Sequence, residues 1–211
     1  MTLTAYTALA ASSLFVIIDP IATIPAFLAM TPNDTPQERN RMAGLACGVA
    51  AGVLVFFAFT GQSIFHLLGI TLPAFKMAGS IVLLLIALDM LRARRSAVQE
   101  TEEETRAGAD KADIAVTPLG IPMLAGPGAI STALLMRAQA ESVAQHVALF
   151  FCITGICFVS YVVLRFASIG SRLIGPIGMK ITTRIMGLLL AAVAFQFMID
   201  ALRELKLVPP G

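Results

Sequence analysis

Six apolar stretches run along the chain, at about 3–28, 43–68, 74–91, 116–136, 146–168 and 184–202. Each is close to the roughly 20 residues that a helix needs to cross a hydrocarbon core about 30 Å thick. None alternates polar and apolar residues as a barrel strand would. Helices, which satisfy their own backbone groups, are then the structure that lipid permits. The pattern predicts an all-α membrane protein of six transmembrane helices. The first run, Leu3 to Met30, lacks a positively charged start and is interrupted by Asp19-Pro20. It is expected to remain in the mature protein and not to be removed as a secretory signal.

Composition points the same way, since 57% of the 211 residues are hydrophobic and only 13% are charged. Soluble domains carry about 25% charged residues. Mean hydropathy is +0.85. A net charge of +2 without a basic stripe sets nucleic acid aside as a partner. Cys47, Cys152 and Cys157 sit in apolar runs with no histidine at ligand spacing, so they read as core residues, and neither a metal nor another cofactor is expected. His66 and His146, near the mouths of spans 2 and 5, have no ligand partners at suitable spacing.

Lys and Arg divide unevenly between the two membrane faces. Arg39, Arg41, Arg92, Arg94, Arg95, Arg106, Lys111, Arg165, Arg172, Lys180 and Arg184 fall on one side, against Lys76, Arg137, Arg203 and Lys206 on the other. The positive-inside rule then places the first set in the cytoplasm and both termini outside. Residues 92–115 form a polar connector that includes Glu100, Glu102, Glu103 and Glu104, so the chain divides into residues 1–91, a cytoplasmic linker at 92–115, and residues 116–211.

The two large parts resemble each other. Asp19-Pro20 corresponds to Gly126-Pro127, with the prolines 107 residues apart, and Thr35 to Glu38 corresponds to Ser142 to Gln145 at the same offset. Both tetrapeptides read as capping boxes opening spans 2 and 5. Lys76-Met77-Ala78-Gly79 matches Arg184-Ile185-Met186-Gly187 at an offset of 108, and Asp89 to Arg92 matches Asp200 to Arg203 at 111. Three spans per repeat force the second half to enter from the opposite face. The expected architecture is two inverted three-helix repeats, an arrangement suited to alternating access.

Pro20 and Pro127 fall near the middle of spans 1 and 4, where a proline removes a backbone donor and frees a carbonyl one turn earlier. Spans 1 and 4 are therefore expected to be discontinuous. Gly126 and Gly128 flank the second break and let a ligand approach the main chain. One such proline is an ordinary packing kink, whereas matched breaks in inverted repeats point to a transport site. N–H groups near Gly128 and Ala129 suit a carboxylate, and carbonyls freed before Pro20 and Pro127 suit an ammonium group.

Asp19, deep in span 1, is a candidate ligand for an ammonium group, a coupling proton or Na⁺, and equally a helix N-cap. Thr23, Ser131 and Thr132 follow the breaks and can bond either a ligand or their own helix. Gln196, midway along span 6, requires a partner on another helix or in a cavity. Asp89 with Arg92 and Asp200 with Arg203 read as ion pairs at helix ends.

The motifs Asp19-Pro20-Ile21-x-x-x-Pro25, Leu72-Pro73-Ala74-Phe75-Lys76-x-Ala78-Gly79, Ala115 to Pro122, Ala125 to Thr132 and Thr183 to Leu189 resemble the MarC family over nearly the whole chain. The resemblance implies a bacterial inner-membrane protein of six helices, related to the lysine-exporter-like transporters, with some members looking like carriers of glycine and alanine. Family members often carry Asn where this chain has Thr23.

The expected function is export of a small zwitterionic amino acid through a site of Asp19, Pro20, Thr23, Gly126, Pro127, Gly128, Ala129, Ser131, Thr132 and Gln196. A cation exporter would need clustered carboxylates or sulfur ligands, and only Asp19 lies deep. A hydrolase would need a nucleophile and base, or paired aspartates, meeting in a cavity, so no enzymatic activity is expected. Gly and Ala on several helices permit close packing within one chain or between copies in a homo-oligomer.

Overall fold

A computed structural model describes residues 1–31, 34–92, 115–170 and 176–207. The linker expected between the halves falls almost wholly at 93–114, outside the described residues.

Helix α1 spans Leu3–Ile18 and is capped by the Thr2 hydroxyl, which accepts from Ala5 N–H. Its buried residues, Tyr6, Ala10, Leu14 and Ile18, recur every fourth position and form one inward stripe. The helix stops at Asp19, which turns left-handed at φ 42°, ψ 74°. Pro20 disfavours helical geometry at the residue before it but fits the first turn of a new helix. Helix α2 accordingly runs Pro20–Met30. It ends where the buried Arg39 guanidinium donates to Thr31 O from Nε (2.9 Å) and Nη2 (2.6 Å).

Helix α3, Pro36–Leu68, opens on a complete Thr35–Glu38 capping box and closes at Gly69 with φ 65°, a left-handed position that glycine adopts without steric cost. Its 33 residues rise about 50 Å, longer than the hydrocarbon core is thick. Met42, Ala46, Ala50, Leu54 and Ala58 are buried along it at steps of four. Helix α4 follows at Leu72–Leu91.

The stretch expected to begin span 4 as a helix does not do so. Over Ala115–Leu124 the chain winds with wide i to i+5 hydrogen bonding, and Thr117 (φ −131°, ψ 123°) and Ile121 (φ −132°, ψ 123°) are extended. Each precedes a proline, Pro118 or Pro122, whose ring excludes the α region for its predecessor. Both Xaa-Pro bonds are cis. Regular helix resumes as α5, Pro127–Gln139, at 49° to the proline segment. Helices α6, Val143–Gly170, and α7, Pro176–Glu204, complete the described chain. The second expected capping box is altered: Ser142 Oγ accepts from Gln145 N–H, but the Gln145 side chain accepts from Glu141 N–H and not from Ser142.

Among the described residues the fold is all-helical, with five runs long and apolar enough to cross a membrane and a sixth if the bent pair Val116–Leu124 and Pro127–Gln139 counts as one span. Most of these helices exceed their expected spans: α3 begins at Pro36 where 43 was expected, and α6 at Val143 where 146 was.

Packing runs mainly between the first three spans and the last three. Helix α4 lies along α7, α3 along α6, α1 against α5 and α6, and α2 against α6, α7 and the proline segment, while α3 and α4 also touch α5 and that segment. The α4/α7 pair is antiparallel, because Lys76 at the start of α4 meets Glu204 at the end of α7 and Gly187 lies against Ala87 and Leu91. At the same end of the molecule the Met1 ammonium pairs with Glu141 (3.1 Å), and Tyr6 donates to Met136 O (2.8 Å).

Candidate functional site

The helix start at Pro20 and the helix start at Pro127 differ in how their free N–H groups are met. At the first, Asp19 Oδ1 accepts from Ala22 N–H at 3.0 Å, and Thr23 donates its hydroxyl to Asp19 O at 3.0 Å. Asp19 is thus the N-cap of α2, and its side chain is exposed. At the second, Gly126 stands in the cap position and, among the described residues, no side chain caps the α5 terminus. Among the described residues the N–H groups of Gly128 and Ala129 receive no side-chain oxygen, so the positive end of the helix dipole there lacks a side-chain cap.

Both glycines there are held by contact. A methyl group at Gly126 would lie 2.5 Å from Pro122 O, and one at Gly128 would lie 2.8 Å from Phe197 Cζ and 3.1 Å from Ile17 Cδ1. Ser131 donates to Pro127 O (2.5 Å) and Thr132 to Gly128 O (2.9 Å). Their hydrogens are spent on their own helix, but each oxygen keeps a lone pair for an N–H donor.

A cavity of about 260 Å³ opens beside this terminus, lined by Gly128, Ser131 and Thr132 of α5, Ile17 of α1, Lys76 of α4 and Phe197, Asp200 and Glu204 of α7. Lys76 and Glu204 form an ion pair across it from facing helices. Asp200 accepts from Gln196 (2.9 Å) and stands 3.7 Å from Arg203. The result is an apolar floor with charges of both signs at the rim.

Of the residues singled out in the sequence, Gly128, Ser131 and Thr132 meet in this cavity, with Gly126, Pro127 and Ala129 buried next to them in the α5 turn. Asp19 and Thr23 do not line it. Gln196 is a correction: its partner is Asp200 on its own helix, and it is exposed, because one turn of helix already supplies an acceptor for the amide. Lys76, Asp200 and Glu204 were missed as a set. A lysine inside the apolar start of span 3 and acidic residues four apart at the end of span 6 are the sequence signals that could have suggested them. No group of three or more His, Cys, Asp or Glu side chains is placed to hold a metal among the described residues.

A family model described as MarC family integral membrane protein matches residues 4–206. The chain belongs to the MarC family. A UPF0056 membrane protein of Aquifex aeolicus is 36% identical over 194 residues, 92% of this chain and 90% of that one. One from Methanocaldococcus jannaschii is 36% identical over 198 residues, 94% and 96% of the two chains. The Escherichia coli UPF0056 membrane protein YhcE is 29% identical over 191 residues, 90% and 88%. No solved structure matches the chain. As a MarC family member with this run of apolar helices, it is a multi-pass integral membrane protein.

Proposed function

We propose that this MarC family protein is an exporter of small neutral amino acids such as glycine and alanine, located in the bacterial inner membrane with both termini outside. The observation that carries the reading is the uncapped start of α5 beside the 260 Å³ cavity. A substrate carboxylate would take the N–H groups of Gly128 and Ala129, as anions do at helix N-termini. Its ammonium group would reach the hydroxyl oxygens of Ser131 and Thr132 and the carboxylate of Asp200. With Phe197 and Ile17 against Gly128, a small side chain is favoured over a large one.

Alternating access between two inverted three-helix repeats with discontinuous first spans is supported by the packing. Exchanging spans 1–3 for spans 4–6 carries the contact of α1 with α6 onto that of the proline segment with α3, that of α2 with α6 onto that of α5 with α3, and that of α4 with α5 onto that of α7 with α2, while α3/α6 and α4/α7 map onto themselves. Opening would alternate the roles of the two halves, with Lys76 and Glu204 parting on one side. Asp19, exposed beside its break, is the carboxylate proposed for a coupling proton or Na⁺.

The test is uptake and counterflow of labelled glycine and alanine in proteoliposomes, comparing the wild-type chain with Asp19→Asn and Gly128→Ala. Transport by the wild type that both substitutions abolish is expected. Absence of transport by a folded wild type would remove the amino-acid assignment, and retained transport in Gly128→Ala would remove the site.

A further inference from the structure

A larger cavity lies elsewhere. A groove of about 590 Å³ runs between α3 and α6, with Gly44 and Gly48 in its floor, Phe158 as a wall, and Asn40, Arg41 and Tyr161 among the residues at one end. Tyr161 donates to Asn40 Oδ1 at 3.1 Å and ties the two helices together there. A methyl group added at Gly48, or at Gly155 on α6, would meet nothing within 4 Å, so the described chain leaves the groove unfilled. Phe158 is 64% exposed.

We infer that this groove holds one acyl chain of an anionic phospholipid, with the phosphate against Arg41 and Arg165. Charge complementarity and length both favour that occupant. Arg41 borders the groove, and Arg165 lies one helical turn beyond Tyr161 on α6; both are exposed, and neither has an ion-pair partner among the described residues. Unpaired basic groups at the end of an apolar slot between transmembrane helices match a lipid headgroup above its tail.

From residue 40 to residue 51 a helix rises about 16 Å, near half of the roughly 30 Å hydrocarbon core, which is the depth of a single leaflet. A second copy of the chain would present a helix that crosses both leaflets. On α3 the residues lining the groove end at Ala51, and Phe59, about two turns further on, protrudes, so the groove does not continue to receive one.

The chain contains no tryptophan, so Phe158→Trp installs a single reporter in the groove and Phe151→Trp a control farther along the same helix, equally lipid-facing. In phosphatidylcholine bilayers, brominated phosphatidylglycerol and brominated phosphatidylcholine would be compared as quenchers at equal mole fraction. Quenching at position 158 should show a preference for phosphatidylglycerol of about fivefold for each arginine engaged, since one basic residue near the surface contributes about 1 kcal/mol. Position 151 should show none. Arg41→Gln with Arg165→Gln should remove the preference, and Gly48→Leu, which has open space for its side chain, should reduce quenching at 158 by both lipids. Equal quenching by the two lipids at 158, or a preference that survives loss of both arginines, would overturn the site. Shielding from both lipids that grows with the protein-to-lipid ratio would also overturn it, in favour of a second copy. These readouts are independent of any transport measurement.

Discussion

Gly79 of α4 lies against Pro127, so closely that a methyl group at Gly79 would overlap the pyrrolidine ring. The residue that starts α5 is thereby clamped by a helix of the other half, and the N–H groups of the next turn are fixed relative to Lys76, one turn before Gly79. Proline at the start of a helix cannot rotate aside as a long side chain can. Gly79→Ala should cost about 1–3 kcal/mol of stability, the usual range for overpacking, and lower the thermal unfolding midpoint in detergent.

Gly126 and Gly52 make a contrasting pair. A methyl group at Gly126 would press on the Pro122 carbonyl at 2.5 Å, while one at Gly52 would meet nothing within 4 Å. Gly126→Ala should destabilise the protein markedly or prevent its recovery as a monodisperse species. Gly52→Ala should be neutral or raise stability by up to about 1 kcal/mol through helix propensity. The same thermal measurement reads both.

Asp19 carries two separable roles under the proposed function, and two substitutions distinguish them. Asn keeps an oxygen for Ala22 N–H and tolerates the left-handed backbone at φ 42°, so Asp19→Asn should retain near wild-type stability while losing transport. Asp19→Ala loses the cap as well and should fall by about 1 kcal/mol. Normal transport in Asp19→Asn would reduce this residue to a helix cap.

Lys76 and Glu204 meet from α4 and α7 across the cavity. Lys76→Glu and Glu204→Lys should each impair transport by placing like charges together, and the double exchange should recover a large part of it. A double mutant no better than the singles would mean that each residue acts alone.

Much of the fold was legible because lipid leaves few choices. The apolar runs located the helices, Thr35 with Glu38 located the start of α3, and Asp19 before Pro20 located a cap. Helix ends were less legible, because hydropathy follows the apolar part of a helix while its polar first turns, such as Pro36 to Arg41, are equally helical. The proline segment was lost to the same habit: apolar content over 116–124 outweighed Pro118 and Pro122, whose effect on the preceding residue is steric and invisible to hydropathy. Lys76 and Glu204 are 128 positions apart, and only tertiary packing brings them together.

Because α1 to α4 find most of their neighbours in spans 4 to 6, a nascent chain that has inserted only its first half has almost nothing to fold against. Residues such as Arg39 and Thr31 can pair locally at once, but the inward stripes of α1 and α3 must wait, facing lipid, until the second half is synthesised. Membrane insertion and folding are then separate events for this protein. The interval between them is when an incomplete chain is most open to membrane proteases and to pairing with the wrong partner.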